Sequence, residues 1–138
     1  MEIRGLTLWQ PMAWAIAAGH KPYENRPWQP HRGVTHLAIH AGKKYHQPHV
    51  DQIRELGIDV PAKADLAFGA VLCVAELRWW RPFGGGAGWA SPWASGPFVR
   101  RVQPVWVADD PIPCSGALGM WRIPGDVKAE MRRQGFTA

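Results

Sequence analysis

The stretch Gly19-His20-Lys21-Pro22-Tyr23-Glu24-Asn25-Arg26-Pro27-Trp28 sets a lysine, a glutamate, an asparagine and an arginine within six positions, beside two prolines and an aromatic ring. Each proline pushes the residue before it, Lys21 or Arg26, toward extended backbone. Alternate residues of an extended chain share a face, so Glu24 and Arg26 are expected to point one way, with Lys21 at the bend. Just upstream, Gln10–Gly19 reads as a helix of about two turns. Pro11 stands where its missing N–H costs nothing, and Gly19 is free to take the positive φ of a C-terminal cap. The polar stretch therefore begins where a helix stops. It reads either as a loop closed by an exposed ion pair worth ~0–1 kcal/mol, or as the wall of a ligand pocket.

The rest of the chain supplies a sheet for this segment to join. Ile3–Leu8 reads as a first strand, Arg32-Gly33 as a turn, and Val34–Gly42 as a strand that ends in Lys43 and Lys44. Val50, Ile53 and Leu56, three residues apart, suit a short amphipathic helix stopped by Gly57. In Gly69–Trp80 nearly every position through Leu77 is apolar, which predicts a strand buried on both faces, with Val71, Cys73 and Ala75 alternating against Leu72 and Val74. Glu76 interrupts that run, and a buried carboxylate needs a partner; its simplest one is Lys21. Arg81–Pro97, rich in Gly, Pro and Trp, marks a long loop of the kind that serves as a lid or binding element. Phe98–Asp109 reads as a strand pair or one bent strand, Pro111–Gly116 as a turn, and Ala117–Pro124 as a closing strand. Asp126–Gly135 reads as a basic surface helix. Many strands with few short helices and no linker predict a single α+β domain over 1–138, a small mixed β-barrel flanked by short helices.

Composition narrows the function classes. With 138 residues and 46% apolar content, the chain is long enough and greasy enough for a real core. No run approaches the roughly 18 apolar residues of a membrane span, and Met1–Gln10 lacks a signal-peptide pattern; a cytoplasmic protein is expected. Cys73 and Cys114 form no metal or redox motif, and the His-rich pieces 36–40 and 46–49 have no cysteine pair beside them, so neither a metal nor a cofactor is expected. The net charge of +5 favours an anionic partner, nucleic acid above all. Nine tryptophans exceed what a small core needs. Trp79, Trp80, Trp89 and Trp93, in or beside the long loop, suit base stacking as well as they suit packing of the loop.

Leu6–Trp28, followed by Arg32–Lys44, resembles the ASCH domain of the PUA-like superfamily. Gly69–Leu77, the Ser91-Pro92-Trp93 triplet and Pro111–Pro124 follow in the same order, so the resemblance spans about residues 6–124 and leaves a basic tail, 125–138. Its most specific part is the pattern Gly19-x-Lys21-x-x-Glu24-x-Arg26. The resemblance implies a barrel with a cleft lined by the loop after the first helix, and an association with RNA or DNA. Some small bacterial members resemble amidohydrolases that deacylate N4-acetylcytidine with a Lys, a Thr three residues later and a strand Glu. Here these positions hold Lys21, Glu24 and Glu76, so the hydroxyl is replaced by a carboxylate.

Two chemistries follow for the same residues. In the binding reading, Lys21 and Arg26 hold a phosphate or a base edge, and Glu24 or Glu76 accepts from an exocyclic amino group. Trp9, Tyr23 or Trp28 stacks on a base, and Lys43 and Lys44 extend a positive track. Trp9 and Trp14 also read as core residues, His40 as a core-edge histidine, and Gln10 as serving the helix start. In the hydrolytic reading, Lys21, Glu24 and Glu76 are catalytic: a carboxylate activates water and Lys21 stabilises the oxyanion. Thr7 and Thr35 are the nearest hydroxyls. A third class is a protein-binding adaptor that uses the Trp-rich loop 81–97.

Overall fold

The computed structural model describes residues 1–84 and 91–137. Six strands, β1 (Ile3–Gln10), β2 (Tyr23–Arg26), β3 (His36–Tyr45), β4 (Ala70–Pro82), β5 (Phe98–Pro113) and β6 (Met120–Trp121), form one mixed sheet in the order β2-β5-β4-β3-β1-β6. β1 and β3 run parallel, and the other neighbours are antiparallel. Three helices, α1 (Met12–Ala17), α2 (Gln47–Glu55) and α3 (Gly125–Arg133), flank it. None of the described helices is long and apolar enough to cross a membrane.

The expected barrel is corrected to an open sheet. β2 pairs with β5 and β6 with β1, which leaves these two short strands as separate edges rather than as partners. The closing strand expected over Ala117–Pro124 shrinks to Met120–Trp121, too short to bridge back to β2. Phe98–Pro113 is one bent strand, with register shifts against β4 at Val71/Cys73, Val74/Ala75 and Leu77/Trp79. An extra residue in a ladder re-aims the side chains that follow. Accordingly Leu72, Cys73 and Ala75 pack into one apolar cluster with Leu6, Leu37 and Val102, while Val71 joins Val74 on the other. Strict alternation is thus broken, although all of Ala70–Ala75 is buried as expected.

Local signals position the helices. Gln10 Oε1 accepts from the Trp14 N–H at 2.9 Å, while Gln10 Nε2 donates to the Ala67 carbonyl at 2.8 Å. The fully buried Gln10 thus starts α1 and ties it to the chain entering β4. Gly19 and Gly57, at φ +85° and +82°, reverse the chain after α1 and α2. α3 is more than a surface helix: Val127, Met131 and the following Phe136 are buried against Val74, Ile112 and Trp121. Spacing of four residues puts Val127 and Met131 on one face, and the basic Arg132 and Arg133 fall on its last turn. The long loop keeps its ends, since Phe83 N–H donates to the Pro97 carbonyl at 2.8 Å. Residues 85–90, with Trp89 and the middle of the proposed lid or adaptor element 81–97, lie outside the described residues.

Candidate functional site

After Gly19 the chain folds back on α1, with the His20 and Lys21 N–H groups both donating to the Ala15 carbonyl at 2.9 Å. This turn carries the Lys21 side chain inward, and β2 follows as an edge strand on β5. Glu24 and Arg26 do share a face: Arg26 Nε donates to Glu24 Oε2 at 2.7 Å, and Lys21 Nζ lies 3.6 Å from Glu24 Oε1. Arg26 Nη2 also donates to the Thr7 carbonyl at 2.8 Å. The pair is not an exposed loop closure, because Lys21 is 4% and Glu24 6% exposed.

A third cation completes the group. Arg100 stands directly across from Glu24 in the β2–β5 ladder and is wholly buried. Its Nη2 donates to the Trp28 carbonyl, and its guanidinium lies 4.5 Å from the Trp28 ring centre. Its Nε and Nη1 have no partner among the described residues. Burial, opposed by the Glu24 charge, pushes Arg100 down to about 10. Burial likewise lowers Lys21, again against the attraction of Glu24.

Of this group, Lys21 and Glu24 border a cavity of about 610 Å³ whose wall also includes Asn25, His49, Gln52 and Trp93. Trp93 presents its ring 5.5 Å from Lys21 Nζ. Asn25 fixes that wall by donating to the Trp93 carbonyl at 2.8 Å and accepting from the Ser95 and Gly96 N–H groups at 2.9 and 3.1 Å. A shallower recess of about 270 Å³ adjoins it, sharing Met12, Glu24, Asn25 and His49 and reaching Trp9 and Arg26. His49 packs on His46 with ring centres 4.2 Å apart, and burial first, then the charges of His46 and Lys21, lower its pKa.

Other expected site residues lie elsewhere. Glu76 does not pair with Lys21; its carboxylate is 3.9 Å from Arg78 and faces His36 across the ladder. The covered part of β4 ends at Ala75, so Glu76 closes the apolar run instead of sitting inside it. Trp28 covers Arg100 and lies 6.0 Å from the Arg26 guanidinium, which occupies its ring. Tyr23 contacts Trp79 and Arg101 and does not line the cavity. Trp9 is 42% exposed rather than core, with Lys44 Nζ 4.9 Å from its ring. Gln52 and His49 escaped sequence reading, and Trp93, marked there as a stacking ring of the long loop, stands in the cavity wall. The available signal for His49 was its four-residue spacing to Ile53 on the buried side of α2.

Lys43 borders a second pocket of about 740 Å³, together with Thr7, His40 and Gly116. His40 is buried, and its Nε2 is 2.6 Å from the Cys114 carbonyl, which only accepts. Nε2 therefore carries the proton and Nδ1 accepts from Thr7 Oγ1 at 3.1 Å, while Trp121 Nε1 donates to the same hydroxyl at 3.1 Å. Thr7 thus spends its hydroxyl here and only its carbonyl near Arg26. Thr35 is bonded to His36 and Glu2.

Burial lowers the His40 pKa, so the folded state resists a proton that the unfolded chain accepts below about pH 6.5. Stability should be full above that pH and fall as pH drops from 6.5 toward the lowered value. The His40 share is bounded at about 1.4 kcal/mol one unit below 6.5. Urea midpoints at pH 7.5 and 5.5 should separate, and His40→Gln should shrink the gap; an unchanged gap refutes the assignment.

No protein-family model matches the sequence, and neither does any curated protein. Among solved structures, the chain is similar to a mutant of ZmASCH from Zymomonas mobilis, with a TM-score of 0.51 and 13% identity over 95% of this chain and 94% of that one. Likeness of this extent at so low an identity speaks for the backbone, and the chain has an ASCH-like fold.

Proposed function

We propose that the chain binds nucleic acid, RNA in the first place, or a modified nucleobase, in the cavity beside Lys21, Glu24 and Arg26. The observation that carries this reading is a buried, charged group opening on a cavity of about 610 Å³ with an indole as one wall. Small-ligand sites usually span ~300–1,000 Å³ and combine apolar walls with a few polar groups. Lys21 keeps N–H donors for a base edge or phosphate, since Glu24 is its one charged partner among the described residues. Among the rings considered for stacking, Trp93 takes the role in the cavity in place of Tyr23 and Trp28. Lys43 and Lys44, both exposed, and Trp9 supply charge and an aromatic face outside the cavity for a strand that extends beyond it.

Titration with single-stranded RNA, single-stranded DNA and free nucleosides at 50 and 200 mM salt tests the proposal. Binding should weaken with salt, as neutralised phosphates require, and Trp93→Ala should cost about 1–3 kcal/mol of affinity if the ring stacks on a base. Absence of salt-sensitive binding in every arm refutes it.

A hydrolytic reading is supported by the lowered pKa of Lys21 at a cavity wall next to a carboxylate. Glu24 would activate water and Lys21 would stabilise the oxyanion of an N4-acylcytidine, without Glu76. This reading requires turnover of N4-acetylcytidine that Lys21→Ala abolishes.

A further inference from the structure

Two recesses meet at a shared neck. The cavity of about 610 Å³ and the recess of about 270 Å³ have Met12, Glu24, Asn25 and His49 in common, and each has an indole of its own. Trp93 belongs to the cavity and Trp9 to the recess. Trp9 is 42% exposed although it stands on β1 between Leu8 and Gln10, both buried. Lys44 Nζ lies 4.9 Å and the His46 ring 5.3 Å from its centre, the imidazole tilted by 57°. Neither contact hides the indole, and an exposed ring beside a cation is what base stacking requires.

Charge divides the two recesses. The charged side chains of the cavity are Lys21 against Glu24 and Glu55, so nothing there calls for an anion. The recess sets Arg26 against Glu24, and Lys44 adds a positive charge at its Trp9 end. Arg26 gives Nε to Glu24 and Nη2 to the Thr7 carbonyl, while its Nη1 has no partner among the described residues. At the neck the Asn25 amide is spent on the backbone of the Trp93 segment, whereas His49 Nδ1 is buried without a partner among the described residues.

Resting on the binding reading above, we propose that the site takes a dinucleotide step of a single strand: one base against Trp93 in the cavity, its neighbour on Trp9, and the linking phosphodiester across the neck beside Arg26. An unmodified base is flat and uncharged at neutral pH, which suits the cavity. The linkage carries one negative charge and stays on the side where Arg26 and Lys44 stand. Bases parted onto two rings are unstacked from each other, as single strands allow and duplexes do not. A free nucleoside fills half of such a site.

Calorimetric titration of the full chain tests this with the nucleoside, its 3′- and 5′-methyl phosphodiesters and the dinucleoside monophosphate of each of the four bases. For at least one base the dinucleoside monophosphate should bind about tenfold or more tightly than the other probes, as a second stacked base implies. Trp9→Ala should erase that gain and leave nucleoside binding unchanged, Trp9→Phe should restore most of it, and Trp93→Ala should weaken every probe. Equal affinities for nucleoside and dinucleoside monophosphate overturn the two-base proposal and leave the nucleobase reading intact. A methyl phosphodiester that binds as tightly as the dinucleoside monophosphate assigns the gain to the phosphate and overturns the Trp9 subsite. A Trp9→Ala protein that loses affinity for all probes alike overturns it too, and no binding by any probe overturns both readings. The ligand series on the unaltered protein decides the matter whatever the stability of the variants.

Discussion

Glu24→Ala should cost about 3–5 kcal/mol of stability, the usual penalty for leaving buried charge without its partner. Among the described residues Glu24 is the one carboxylate that both Lys21 and Arg26 contact, and it faces Arg100 across the ladder. Its removal strands three cations, of which Arg100 is fully buried. A total stability of ~5–15 kcal/mol leaves little after such a loss. Glu76→Ala is the control: its side chain is 39% exposed and 3.9 Å from Arg78, so its loss should stay within about 1 kcal/mol. Urea midpoints of the two variants measure the contrast, and comparable losses would refute the account. Lys21→Met combined with Glu24→Ala should recover part of the deficit by removing one stranded charge. In this chain Glu24→Thr would strand the same cations.

Gly5→Ala is expected to be nearly as damaging. A Cβ at Gly5 would stand 2.5 Å from Cδ2 and Cζ2 of the Trp121 indole, a distance no real side chain tolerates. The ring cannot retreat easily. Trp121 is 8% exposed, its Nε1 is bonded to Thr7, and its backbone pairs with Gly5 itself. Overpacking a filled core costs about 1–3 kcal/mol and sometimes more. Here it would also disturb the short β1–β6 pairing and the Thr7–His40 bond. Pairing Gly5→Ala with Trp121→Leu should cost less than the sum of the two single changes, since the smaller side chain vacates the space. Thermal denaturation of the four proteins gives the cycle, and strict additivity would show that the contact is not the cause.

What could be read from the sequence was mostly local chemistry. Gly19 and Gly57 end helices because their neighbours are helical and they alone take positive φ cheaply. Glu24 and Arg26 meet because two residues of extended chain separate them. Lys21 comes in through the same turn. The long-range register was not legible. Nothing near Glu24 announces that Arg100, 76 positions away, will face it, or that the indole of Trp28 will be occupied by guanidinium groups. Glu76 misled for a related reason: apolar neighbours show that a strand is buried, not where the layers covering it end. The barrel failed at its edges, where two- and four-residue strands decide closure.

The Asn25 amide has a consequence for how this fold can diversify. One side chain of β2 grips the backbone of Trp93, Ser95 and Gly96, and Phe83 closes on Pro97. The indole wall is thereby fastened from the cavity side, at residues that follow the Gly-rich span and not within it. A change at this one position would loosen the ring wall while Lys21, Glu24 and Arg26 keep their own contacts, so Asn25 is where ring and charge can diverge.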